Sequence, residues 1–139
     1  MTLDNLVGIS LERITTDAVM IKRLLAAAER NLQDASIAEL SNENRFDTAY
    51  KAIMQIANAA LQARGYRTLT SKPGHHQTML QSLSKTLDIE SPQLIVLDAL
   101  RKQRNVADYS GDLVTDTAVN ECISQAHALW LLAQEQLSK

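Results

Sequence analysis

The chain has 139 residues, 45% hydrophobic and 22% charged, with a formal net charge of −2 at pH 7. Those values exclude a miniprotein and an overtly disordered chain, and describe one ordinary domain, residues 1–139, able to bury a core. No apolar run is long enough to span a bilayer, and Met1-Thr2-Leu3-Asp4-Asn5 lacks the basic and apolar segments of a secretory signal, so a cytoplasmic chain without a membrane partner is expected.

Four glycines, two prolines, 4% aromatics and scattered β-branched residues point to an all-α fold. Residues 3–11 read as a short extra helix. The first long helix starts near Thr15 or Thr16 and carries Val19, Ile21, Leu24, Leu25, Ala28 and Leu32 at helical spacing. The second follows Ser41-Asn42-Glu43-Asn44, a cluster of cap formers, repeats apolar residues at Phe46, Ala49, Tyr50, Ile53, Ala57 and Ala60, and ends at Gly65 as a left-handed cap. A loop over 66–74 leads to a shorter helix over about 75–87 with Met79, Leu80 and Leu83. Ser91-Pro92 opens the fourth helix, serine as N-cap and proline in the first turn, where its missing N–H is harmless. Ser110-Gly111 breaks it, and a fifth begins near Thr115 with the cleanest stripe, through Val119, Cys122, Ile123, Ala126, Leu129, Trp130, Ala133 and Leu137. An antiparallel bundle of about five helices buries these stripes.

The fourth helix contains an anomaly. Leu94, Val96, Leu97, Leu100 and Ala107 gather on one side of the wheel, and Arg104 falls among them, while Lys102 and Asn105 fall outside that arc. A charge on a packing face is costly unless paired or hydrogen-bonded. Arg104 therefore snorkels at the margin of the stripe, pairs with Asp108 four residues on, or serves a cleft or interface.

The charge balance is uneven along the chain. Between Asp47 and Asp88 there is no acidic residue, while Lys51, Arg64, Arg67, Lys72 and Lys85 lie there with His75 and His76. Arg101, Lys102 and Arg104 add a second basic knot, and from Asp108 to Glu135 the balance is acidic. Such a distribution fits either one positive face for phosphate-bearing partners or a run of solvated charges. His75 and His76 follow Pro73-Gly74 at a helix start, where imidazoles can cap, bind an anion or act in acid–base chemistry. Adjacent histidines on a helix point about 100° apart, so a shared metal is not expected. Cys122 reads as a core thiol, and no cysteine–histidine cluster, phosphate loop or nucleophile elbow occurs.

The succession of Arg45-Phe46-Asp47-Thr48-Ala49-Tyr50 on a helix, Gly74-His75-His76 in a loop, and Arg104-Asn105-Val106-Ala107-Asp108-Tyr109 before a long final helix resembles the HEPN superfamily, over about residues 41–137. That resemblance implies a small helical bundle, often a homodimer, of the kind found in prokaryotic toxin–antitoxin modules, in CRISPR-associated and RNA-processing ribonucleases, and beside minimal nucleotidyltransferases. It implies RNA or a nucleotide as ligand, with no metal and no cofactor.

Nuclease members use an arginine and a histidine about five positions later: a base takes the 2′-hydroxyl proton while a cation holds the developing phosphorane charge. Arg104 carries over as the phosphate-binding cation and Asn105 as the polar residue beside it; Arg101 and Lys102 of the second basic knot, and Asp108, are further candidate ligand contacts. The histidine's position is occupied by Tyr109, which resembles the branch ending its motif in Ala-Asp-Tyr; tyrosine, with a reference pKa of about 10, is a poor base. His75 or His76 replaces that base if the loop folds over the Arg104 helix. Three readings follow: a non-catalytic or degenerate RNA- or nucleotide-associated protein, an active metal-independent endoribonuclease using Arg104 with Tyr109 or His75/His76, and a structural or regulatory dimer partnering a nucleotidyltransferase. Trp130 reads as a core residue or as an interface anchor.

Overall fold

Five apolar stripes become five helices. The computed structural model describes residues 2–111 and 113–137, with the backbone alone at Asp108 and Tyr109. The helices are α1 (Ala18–Ala35), α2 (Asn42–Ala63), α3 (His75–Thr86), α4 (Ser91–Ser110) and α5 (Asp116–Leu137).

Local chemistry sets their ends. Asp17 Oδ1 accepts the Val19 and Met20 N–H groups at 2.9 and 3.4 Å and starts α1; Ser41 Oγ accepts Asn44 N–H at 3.2 Å and starts α2. Thr115 Oγ1 accepts Ala118 N–H at 3.1 Å at the start of α5. Gly65 and Gly111 follow α2 and α4 with φ of 87° and 71°, values that a side chain would strain. Pro92 lies in the first turn of α4 as expected, but Ser91 is already helical; the cap residue is Glu90, whose side chain makes no capping bond.

The N-terminal segment corrects the sequence reading. Instead of a helix, a single 3-10 turn (Asp4–Leu6) precedes a strand, β1 (Leu11–Arg13), which pairs antiparallel with β2 (Tyr66–Thr68) inside the expected loop, in the register Leu11↔Thr68 and Arg13↔Tyr66. Three-residue strands are too short to announce themselves by alternation. They persist because Leu11 is fully buried in the core, while Arg67 pairs with Glu12 and Tyr66 with Asp4 on the outer side.

α2 is the central element. Phe46, Ala49, Tyr50, Ile53, Ile56 and Ala60 are all buried, on more than one face, and the alanines let neighbouring helices approach closely. Thr16 Oγ1 donates to Gln62 O (3.4 Å) and Arg45 Nε to Ala35 O (2.8 Å), which sets α1 antiparallel to α2. Asn42 Nδ2 donates to Val114 O (2.9 Å) and Cys122 Sγ to Phe46 O (3.7 Å), so α2 and α5 start at the same end and share a direction. In α1 the buried stripe is Ile21, Leu25, Ala28, Leu32 and Ala35; Val19, expected in it, is 58% exposed. One buried cluster draws on all five helices and on β1. Each large apolar side chain it removes from water contributes about 1.5–3 kcal/mol.

Cys122 is fully buried, as expected. Trp130 is half-buried at the edge of the core, and its Nε1–H donates to Leu25 O at 3.1 Å, tying α5 to α1. Among the described residues no helix is long and apolar enough to cross a membrane, and no group of histidine, cysteine and carboxylate side chains could hold a metal ion.

Candidate functional site

The anomaly on α4 resolves through α2. Leu97, Leu100 and Arg104 continue one stripe at i, i+3 and i+7, and burial of the two leucines carries the guanidinium across the first turns of α2. There Asp47 and Tyr50, three residues apart, share a face. Arg104 Nε–H donates to Asp47 Oδ1 at 2.8 Å, and the guanidinium carbon stands 5.0 Å from the centre of the Tyr50 ring. The arginine thus gains a charge-assisted hydrogen bond and an aromatic face. Its side chain is 29% exposed and that of Asp47 54%, so the carboxylate is the more solvent-exposed partner.

The third component comes from α3. Gly74, with φ of 78°, turns the chain into α3 and sets His75 and His76 in its first turn. Tyr50 Oη lies 3.4 Å from His76 Nδ1, within hydrogen-bonding distance with the donor set by the imidazole tautomer, and the His75 and His76 rings meet edge to face at 4.6 Å. Asp47, Arg104, Tyr50, His76 and His75 therefore form one continuous chain of contacts across α2, α4 and α3.

Electrostatics set the protonation states in that chain. Burial, opposed by the Arg104 and Arg101 charges, pushes the Tyr50 phenol up to about 12, so it keeps its proton. Burial, reinforced by His75, Arg104 and Arg101, holds His76 below the usual histidine value, which favours the neutral imidazole near neutrality. The site then offers a compensated guanidinium, a phenol able to donate or accept a hydrogen bond, and a neutral imidazole able to accept a proton.

Arg101 Nε and Lys102 Nζ share Asp98 at 2.9 and 3.3 Å. Asp98 is held below the usual carboxylate range by its hydrogen bonds to Arg101 and Lys102, which outweigh its partial burial. Asn105 is exposed on α4. The side chains of Asp108 and Tyr109 lie outside the described residues, so the expected Arg104–Asp108 pair and the role of Tyr109 do too. The basic run is partly neutralised: Arg67, Arg101, Lys102 and Arg104 all have carboxylate partners, whereas Lys51, Arg64, Lys72 and Lys85 are exposed.

Three participants had no site role in the sequence reading: Asp47 and Tyr50, which only belonged to the segment carrying the resemblance, and Asp98. The signal was present for the first two, since Asp47 and Tyr50 lie at i, i+3 on the face of α2 opposite Arg45, but choosing that face requires knowing where α4 packs. No protein-family model matches the chain, and no curated protein matches it either.

Proposed function

We propose that this chain is a HEPN-type protein of a prokaryotic toxin–antitoxin or defence system, which engages RNA or a nucleotide through Arg104 without cleaving it. What supports this reading is that the three segments carrying the resemblance meet at one point: Arg104 binds Asp47, stacks on Tyr50, and Tyr50 reaches His76. A phosphate approaching this cluster meets an arginine already oriented by its neighbours, which lowers the entropy lost on binding. The non-catalytic form is favoured because the nuclease histidine's position holds Tyr109 and because Asp47 compensates the guanidinium charge. A cytoplasmic homodimer belongs to the same proposal; a structural or regulatory dimer partnering a nucleotidyltransferase is the further alternative.

One observation favours the endoribonuclease alternative, namely the lowered proton affinity of His76 beside the Arg104–Tyr50 pair, which keeps an imidazole in its basic form near neutrality. Incubating purified protein with mixed RNA separates the readings, with Arg104→Ala as the comparison and circular dichroism as the fold control. Binding without cleavage, lost in the variant, supports the proposal; cleavage lost in the variant establishes the nuclease; binding of neither RNA nor a nucleotide by the unmodified protein overturns both.

A further inference from the structure

A second site lies on the far side of α2. Arg45 and Asp47 are two residues apart on that helix and so point about 200° apart, one toward α1 and α5, the other toward α4. Arg45 opens into a groove of about 550 Å³ whose other polar walls are Asn120, Ser124, His127 and Ser36. The groove is shallow and open to solvent, so a ligand in it keeps one side exposed.

The Arg45 guanidinium is oriented and unneutralised. Its Nε–H is fixed on the Ala35 carbonyl at 2.8 Å, which holds the planar group at the end of α1, and among the described residues no carboxylate pairs with it. A guanidinium held by Nε keeps its two terminal nitrogens as a fork suited to phosphate or carboxylate oxygens. His127 and Ser124, one turn apart on α5, supply further hydrogen-bonding groups in the same groove.

The groove does not end at His127. Past that residue, Ile123 and Ser36 belong equally to a second depression of about 290 Å³, floored by Leu32 and the Trp130 ring and edged by Glu29 and Gln33. The Trp130 ring is locked by its Nε1–H bond to Leu25 O, so its orientation is set before any ligand arrives. Between Glu121 and Glu135, α5 carries no Asp, Glu, Lys or Arg. Along roughly 15 Å of α5, at 1.5 Å per residue, the surface thus passes from a cationic fork, through an imidazole, to an aromatic and apolar floor with a carboxylate and an amide at its edge.

We propose that this α1–α5 groove binds a mononucleotide-like ligand, with its phosphate on Arg45 and His127 and its planar ring against Trp130. Glu29 and Gln33 then accept hydrogen bonds from ring-amine or ribose hydroxyl donors. The site is separate from the Arg104 cluster and does not depend on it.

Trp130 is the chain's single tryptophan, so in the folded protein a change of emission on adding ligand reports the surroundings of this ring. Adenosine monophosphate titrated into the intact protein is expected to change that emission saturably, with inorganic phosphate and adenosine each binding much more weakly because each fills half of the groove. His127→Ala is expected to weaken binding several-fold, and Arg45→Ala by about tenfold or more, the scale of a lost charged hydrogen bond. Should Arg45→Ala unfold by releasing the end of α1, Arg45→Lys retains the charge without the fork and is expected to weaken binding while circular dichroism stays native. The proposal is overturned if the nucleotide gives no saturable change, if phosphate or adenosine alone matches it, or if folded Arg45 and His127 variants bind as well as the unmodified protein.

Discussion

Asp47→Asn removes one negative charge with almost no change of shape, and two opposite effects are expected from it. The Asp47–Arg104 pair is short, at 2.8 Å, but its side chains are 54% and 29% exposed, so solvent screens it and its contribution to stability is about 0.5–1 kcal/mol. The stacking of Arg104 on Tyr50 is untouched by the change. Urea unfolding followed by Trp130 emission should therefore show a loss of that size with an unchanged m-value, shrinking as salt is raised. Asp47→Asn and Arg104→Gln together should be non-additive by the same amount.

Binding should move the other way. A phosphate reaching Arg104 Nε must displace the carboxylate, and freeing roughly 0.5–1 kcal/mol corresponds to about two- to fivefold tighter RNA binding in a filter assay at low salt. No stability loss at low salt would refute the pair itself. A stability loss with weaker or unchanged RNA binding would show that Asp47 positions Arg104 and does not compete with phosphate.

Two further outcomes are expected from the buried groups. Because His76 titrates below its reference value of 6.5 in the folded chain, chiefly through burial, the unfolded chain binds the proton more readily; the stability contribution is complete above 6.5 and is lost as pH falls through the folded value. Melting temperatures followed on acidification should fall less for His76→Gln than for the unmodified protein, and parallel curves would contradict this. Burial first, then Asp47 and Glu121, pushes the Cys122 thiol up to about 12, so iodoacetamide at neutral pH should leave the native protein unmodified and label it fully in urea. Mass spectrometry reads the result, and labelling of the native state would show that α2 and α5 separate there.

The candidate site was legible in proportion to how local its chemistry is. Arg104 stood out because a helical wheel compares a residue with others no more than a few turns away, and the wheel already required a partner for it. Gly74-His75-His76 stood out as a turn followed by a helix start. Asp47 and Tyr50 did not, because on α2 alone Tyr50 is one more apolar residue of a stripe and Asp47 one more solvated charge. The strands β1 and β2 were missed for a related reason: each is three residues long, and each depends on a partner more than fifty positions away.

Amphipathic periodicity and the caps at Ser41 and Gly65 operate through bonds and spacings within a turn or two, so the sequence by itself determined five helices and most of their buried faces, although α1 begins at Ala18 behind an Asp17 cap and not at Thr15 or Thr16. It also determined that α4 carries a charge among its apolar residues. Only the tertiary structure decided what that charge meets. Packing of Leu97 and Leu100 chose the face of α2, and with it Asp47 at 57 positions' separation, because the lowest-energy burial of several stripes is a property of all the helices together.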